Sequence, residues 1–564
     1  MQNKPEIDTN RSDCARIKIV AKIKYFYWEL MIICIVHHCK YFNRTNITEI
    51  PTLREADMTR NWKHARASEN IDKKIADVKT VVIKDYVRDM SLESIPTNTG
   101  YKVDGVHMYV DILNLDDMLN VTDSEGERCH SRTLQFLNLH YRAVHRILNQ
   151  VDVRRVDNHN ERIHALVTKP YNSETNAEKK RIQKAVATGQ LMVDVLKRTG
   201  DDNDAIPSAN VRVGIDTGLS IAVNNGRNGY REPLFLGEPA NHAAKMSAGN
   251  RTGIYLTNEA RVALGLKKVE DPKSTPLSGQ EITDCQDAAN LDVSADNIVN
   301  DWKDDLKNSP VGSFSFSRHT PPLAGMDLTI LTPANSRRQE AVSIYADIDY
   351  FTKYVSDNID HNPEDVVRVL HVLRAELERV LTADFKGRRI RFIGDCIHGL
   401  LCEGTSQTTD TKETISTSVL LAGALRSSFD LAIEMLKKAG HETGKLGLAI
   451  GLEYGQVSIS RLGIKGSRVR CAVSRGVLRS EEEQCGCTGV QTAIGPSAYA
   501  DGTQAVKDLF GRIRKVANLD YDEAVDSLSD KDDATAKRIK TEAYVAAPAI
   551  IKAEERPIRP YAVG

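Results

Sequence analysis

RIRFIGDCIHGLL, residues Arg389 to Leu401, reads as an apolar β-hairpin that bends at Gly394 and Asp395. Its second arm, CIHGL at Cys396–Leu400, repeats RIHAL at Arg162–Leu166. Working outward, YADID (Tyr345–Asp349) matches YVDIL (Tyr109–Leu113), and MLKKAG ending at Gly440 matches VLKRTG ending at Gly200. GLEYG (Gly451–Gly455) matches GIDTG (Gly214–Gly218), and TGV from Thr488 matches TGI from Thr252. The matches keep one order and nearly one spacing, so the chain holds two related halves.

Each half alternates strand and helix patterns. VSIYADI, rich in β-branched and aromatic residues, precedes Val366, Val369, Leu370, Leu373, Leu377 and Val380, which share one helical face. The first half repeats this with Leu134, Leu137, Tyr141, Val144 and Leu148. After the hairpin come a second helix, Val419–Lys438, and the strand LGLAIGLEYG. Strand, helix, hairpin, helix, strand is close to a ferredoxin-like βαββαβ core, an α+β arrangement.

At 564 residues the chain exceeds one hydrophobic core. Its 41% hydrophobic and 27% charged residues suit a globular protein. Lys plus Arg is 76 against Asp plus Glu 77, so no net field favours nucleic acid or an anionic membrane, and no aromatic interleaving marks a nucleic-acid surface. Ten cysteines without regular spacing argue against a secreted disulfide scaffold and for a cytoplasmic, reducing setting. Cys485 with Cys487, and Cys34 with His37, His38 and Cys39, are discounted as metal sites. Tyr25–Val36 contains Glu29 and is too short for a membrane span, and it lacks a signal-peptide cleavage site.

The expected organisation is an extension of unread role over 1–100, a first domain over 101–268, a linker over 269–337, a second domain over 338–505, and a helix and tail over 506–564. Pro272, Pro276, Pro310, Pro321, Pro322 and Pro333 punctuate the linker, which is expected to hold some local structure.

In this topology Asp347 leaves the first strand of the second half and Asp395 sits at the hairpin bend, so the two carboxylates converge. Hard oxygen ligands suit Mg²⁺ or Mn²⁺, and two such ions ~3.5–4 Å apart can clamp the attacking and leaving oxygens of a displacement at phosphorus. No convincing Ser/His/Asp, Cys/His or P-loop motif competes with this reading.

YADIDYFT (Tyr345–Thr352), followed about fifty residues later by RFIGDCIHGLL, resembles the class III nucleotidyl cyclases across both halves. The GGDEF pattern of diguanylate cyclases is absent. The resemblance implies two tandem cyclase domains packed head-to-tail. Asp347, Asp395 and the backbone carbonyl of Ile348 would hold two ions, Mn²⁺ or Mg²⁺. FLGEPANHAAKM (Phe235–Met246) is similar to the family segment whose Asn and Arg steady the transferring phosphoryl group, which assigns Asn241 that role and puts Lys245 where Arg is usual. The second half has Leu478 and Glu482 at those positions, while the first keeps Asp111 but has Glu161 in place of Asp395. One competent site is therefore expected, with Asp111 and Glu161 marking a degraded second one.

Family members that act on adenine commonly read it with a Lys four residues before the hairpin carboxylate and an Asp seven before the Asn. In the first half these positions are Asp157 and Leu234; in the second, Arg391 occupies the Lys position and is a candidate substrate-binding residue. The departure resembles the pyrimidine cyclases of bacterial Pycsar anti-phage systems. It implies a UTP or CTP substrate, with UTP preferred, a cyclic product that acts on a separate effector protein, and a possible homodimer. A purine cyclase and a catalytically dead nucleotide-binding pair are the alternatives.

Overall fold

The computed structural model describes residues 60–88, 90–224 and 233–546. The Tyr25–Val36 stretch, the Cys34–Cys39 cluster and the basic end from Ile551 lie outside them.

The described chain starts with α1 (His64–Asp77) and β1 (Val82–Asp85). The first half follows with β2 (Thr99–Ile112), α2 (Glu127–Gln150), the hairpin β3 (Arg154–His159) and β4 (Arg162–Val167), α3 (Ala177–Leu196) and β5 (Val211–Asn224). It ends with β6 (Pro233–Leu236), α4 (Glu238–Ser247) and β7 (Gly253–Leu256). Its sheet runs β3-β4-β2-β5-β6, with β1 parallel on β2 and β7 parallel on β5. Between the halves lie α5 (Gly279–Ala289) and α6 (Ala295–Asn308).

The second half contains β8 (Ser336–Asp349), α7 (Phe351–Asn358), α8 (Pro363–Arg379), β9 (Arg388–Ile393), β10 (Cys396–Leu401), α9 (Thr411–Lys438) and β11 (Gly447–Leu462). Then come β12 (Val469–Val473), α10 (Arg475–Cys485), β13 (Gln491–Ile494), β14 (Lys515–Ala517), α11 (Tyr521–Ser529) and α12 (Ala534–Ala546). Its sheet runs β9-β10-β8-β11-β13-β14. In both sheets the hairpin lies beside the first strand and the last core strand on the other side of it, the ferredoxin-like order the repeats imply.

The local chemistry explains the elements. Pro363 opens α8, Glu364 and Asp365 follow in its first turn and Arg379 closes it, matching the helix dipole. The Asp410 side chain caps α9 by accepting from the Glu413 amide. Gly214 and Gly451 permit a close approach: a Cβ there would meet the Ala243 carbonyl at 2.2 Å or the Ser480 carbonyl at 2.3 Å. In each half a helix, α4 or α10, therefore lies directly on the last core strand.

The halves share their cores. Ile221, Val223, Leu234 and Leu236 of the first pack in one cluster with Val342, Phe351 and Val366 of the second. Leu462, Val469, Cys471 and Val473 of the second join the first-half core. Each such buried side chain is worth about 1.5–3 kcal/mol, so the halves form one cooperative body rather than beads on a string.

Three segments hold more structure than their sequence suggests. In 269–337, α5 and α6 pack on α2 and α3, and the Trp302 indole donates to the Leu139 carbonyl at 3.0 Å. After residue 505, β14 extends the second sheet while α11 and α12 cover α9, where one helix and a tail were expected. Before residue 100, α1 packs on α8 and α9 of the second half while β1 pairs with the first half. The amphipathic spacing of Ala67 and Ile71 is too short a signal to reveal that bracing role. Among the described residues no helix is long and apolar enough to cross a membrane.

Candidate active site

The hairpin sets the first part of the site. Ile393 pairs with Cys396, leaving a two-residue loop of Gly394 and Asp395. The φ of +62° at Gly394 is the positive-φ geometry that the first loop position of a primed two-residue turn requires. On the adjacent strand Ala346 pairs with Ile397, so Asp347 emerges beside that bend.

The two carboxylates stand in each other's field. Burial, then repulsion from Asp349 and Glu481, pushes Asp347 up to about 6. Burial, then the neighbouring Asp347, raises Asp395 well above the usual carboxylate range. Asp349 is occupied otherwise, accepting from the Tyr350 amide at 2.9 Å and the Gly489 amide at 2.7 Å. Among the described residues no group of three or more His, Cys, Asp or Glu side chains forms a metal cage.

Asp347, Ile348 and Asp395 line a cleft of about 480 Å³, within the range of small-molecule sites. Its other wall belongs to the first half and includes Tyr109, Val156, Asp157, His164, Leu234 and Phe235. Asn241, on α4, also lines it and donates to the Thr352 hydroxyl of α7 at 2.7 Å. Lys245 is one turn further along α4, exposed and outside the lining. Thr352 and Lys353, both on the cleft at the start of α7, were missed; their signal is the chain position immediately after YADIDYF.

Arg391 does not line this cleft. It is buried, and its guanidinium donates to Asp157 at 2.9 Å and to the Asn158 carbonyl. The side chain read as a substrate contact is engaged within the protein, because its strand position faces the β3 arm of the other half. Asp157 is the member of the pair that reaches the cleft.

The pseudo-equivalent place holds a different chemistry. Arg162 contacts Asp111 at 3.6 Å and Glu481 of α10 at 3.0 Å. Glu481 also faces His159 at 3.5 Å. Burial works to raise Glu481, but the hydrogen bond and charge of His159 and the charge of Arg162 overcome it and hold the carboxyl down to about 2. Burial and Glu481 push Glu161 up to about 8. A protein guanidinium thus ion-pairs with the acids at the place where the other site presents Asp347 and Asp395. The sequence shows the lost Gly-Asp bend but not this replacement, since Glu481 arrives from the opposite half.

The repeat extends to side-chain stacking. Tyr109 stacks on His164 at 4.2 Å and 14°, and Tyr345 stacks on His398 at 4.3 Å and 16°.

The model of the adenylate and guanylate cyclase catalytic domain matches residues 334–477. A uridylate cyclase of Pseudomonas aeruginosa is 60% identical over 505 residues, covering 89% of this chain and 98% of that protein. A uridylate cyclase of a Rhizobium strain is 40% identical over 433 residues, covering 74% of this chain and 82% of that protein. Among solved structures, a class III adenylyl cyclase-like ATP-binding protein from Pseudomonas aeruginosa superposes with a TM-score of 0.83 at 61% identity, covering 84% of this chain and all of that one.

Proposed function

We infer that this chain, which belongs to the class III nucleotide cyclases, converts UTP to 3′,5′-cyclic UMP and pyrophosphate. One observation carries the reading: Asp347 and Asp395 of one half line the same cleft as Asn241 of the other. The preference for a pyrimidine is supported by the names of the two curated relatives and by Leu234, an apolar residue where an adenine-reading Asp would stand.

Asp347, Asp395 and the carbonyl of Ile348 fit two divalent cations, Mn²⁺ or Mg²⁺. Two half-buried carboxylates whose proton affinities are raised by burial and neighbouring acids are relieved by a cation, and ions of this class complete their shells with water and substrate phosphates rather than a full protein cage. Cations held there would neutralise the triphosphate and lower the pKa of the ribose 3′-hydroxyl, so that the 3′-oxygen, having lost its proton to solvent, would attack the α-phosphorus in line as pyrophosphate leaves.

The protein's own groups position this reaction. Tyr350 to Lys353, at the N-terminal end of α7, line the cleft, and the first-turn amides and helix dipole there would favour the triphosphate. The Asn241 amide stabilises charge on the phosphoryl oxygens, while Lys245, which the resemblance puts in the same role, stands outside the lining. The degraded site at Asp111 and Glu161 stays silent because Arg162 occupies its acids. The product serves anti-phage defence by switching on a separate effector, in the cytoplasm; this part rests on the resemblance to Pycsar cyclases.

The test is a product assay on the purified chain with each of the four ribonucleoside triphosphates and Mn²⁺, beside Asp395→Ala. Cyclic UMP from the wild type and none from the variant is the expected result. Cyclic purine products alone, or binding without turnover, would overturn it.

A further inference from the structure

A chain of buried hydrogen bonds runs behind the first-half wall of the cleft. His164 Nε2 lies 3.0 Å from His107 Nδ1, His107 Nε2 lies 3.1 Å from Ser220 Oγ, and Ser220 Oγ lies 3.3 Å from the Val103 carbonyl oxygen. That carbonyl can only accept, which fixes the direction of every link. The Ser220 hydroxyl donates to Val103 and accepts from His107 Nε2–H. His107 Nδ1 then accepts from His164 Nε2–H, and His164 Nδ1 is left as a bare lone pair. Burial depresses both imidazoles, His107 to about 3 and His164 well below its ordinary range, so neither carries the extra proton that would break this logic.

His164 lines the cleft, and among the described residues no protein group takes its Nδ1. In the other half the matching nitrogen, His398 Nδ1, is sealed from solvent with no partner, and Ser343 stands where the first half has His107. The relay therefore exists only on the side that faces the Asp347–Asp395 wall. With the triphosphate drawn to the carboxylates, the first-half wall takes the base.

We propose that His164 Nδ1 accepts the N3–H of uracil and thereby selects UTP over CTP. Cytosine carries a lone pair at N3, so in the same pose two acceptors would face each other, and sites built on such bonds reject the mismatched base strongly. The inference rests on the reading of the cleft as a uridine nucleotide site. Asp157, whose carboxylate shares the wall, is the alternative acceptor.

The test compares kcat/KM for UTP, CTP and 3-methyluridine triphosphate on the full chain. Wild type should favour UTP over the methylated analogue by roughly 10- to 100-fold, the worth of one buried hydrogen bond and its unpaired acceptor. His164→Ala should lose a similar factor on UTP, use CTP better than wild type does, and use the methylated analogue no worse than UTP. Equal use of UTP and the analogue by wild type would overturn the proposal without any variant. So would a UTP to CTP ratio that survives His164→Ala but collapses in Asp157→Asn. Should wild type form no cyclic UMP at all, the proposed function has failed; should it form cyclic UMP without this discrimination, only the role of His164 has.

Discussion

The side-chain amide of Asn241 donates to the hydroxyl of Thr352 at 2.7 Å, across the boundary between the two halves. One turn along each helix, Ser356 donates to Glu238 at 2.7 Å. These bonds register α4 against α7, and so fix the Asn241 amide in the cleft that Asp347 also lines. Removing a preorganised donor of this kind costs about 10²–10³ in kcat. Asn241→Ala should show that loss while Thr352→Ala, which only frees the amide to move, should lose less than about 10-fold. Steady-state kinetics with matched melting temperatures decide this, and equal losses in the two variants would mean that the amide itself does nothing.

The carboxylate pair predicts a stability that opposes activity. Asp347 and Asp395 both have proton affinities raised by folding, so the folded state binds more protons than the unfolded one. Their contribution is unpenalised below the ordinary Asp range near 4 and is lost as pH rises through about 6, the value for Asp347. The metal-free chain should therefore melt lower at pH 7 than at pH 5 on account of this pair, and Mn²⁺ should restore part of the difference at pH 7. Asp395→Asn should raise the metal-free melting temperature at pH 7, flatten its pH dependence, abolish the Mn²⁺ shift and abolish turnover. A variant that melts lower than wild type at pH 7 would refute the assigned electrostatics.

Much of this arrangement is written locally. The hairpin at Gly394–Asp395 needs only two apolar arms and a glycine able to take a positive φ, and the first strand needs only its β-branched run. Repetition then supplies the second half of the fold. What the chain does not display is anything set by contact between halves. Arg391 reads as a substrate-binding residue until β3 brings Asp157 to it, and nothing marks Glu481 out from its acidic neighbours until Arg162 meets it. Lys245 follows Asn241 at helical spacing, yet α4 turns it to solvent. The helices of 279–308 are missed for a simpler reason. Their polar, Asp-rich faces resemble a linker, and only Cys285, Ile298, Val299 and Trp302 are buried in them.

The guanidinium of Arg162 among Asp111, Glu161 and Glu481 predicts one nucleotide per chain. Titration calorimetry with a non-cyclisable UTP analogue and Mn²⁺ should give a stoichiometry of one, and Asp395→Ala should lose metal-dependent binding altogether. Glu161→Gln should leave kcat unchanged, since a carboxyl pushed up to about 8 is already largely protonated at neutral pH. Two binding events per chain, or a loss of turnover in Glu161→Gln, would show that the degraded site is in use.

Arg391 and Asp157 provide the last test, because a positioning role and a substrate contact make different predictions. The guanidinium is buried and bonded to both Asp157 and the Asn158 carbonyl, so Arg391→Ala leaves a poorly solvated carboxylate without its cation. Breaking a buried pair in this way costs about 3–5 kcal/mol, and the melting temperature should fall accordingly. Because Asp157 lines the cleft, its release should raise KM for the nucleotide more than it lowers kcat. Arg391→Lys should recover little, since one ammonium cannot reproduce the fork that serves two acceptors. If Arg391 acts through Asp157, the two residues are coupled, and Arg391→Ala should add little further loss of activity in an Asp157→Ala background. Full additivity of the two losses would instead place the Arg391 side chain on the substrate.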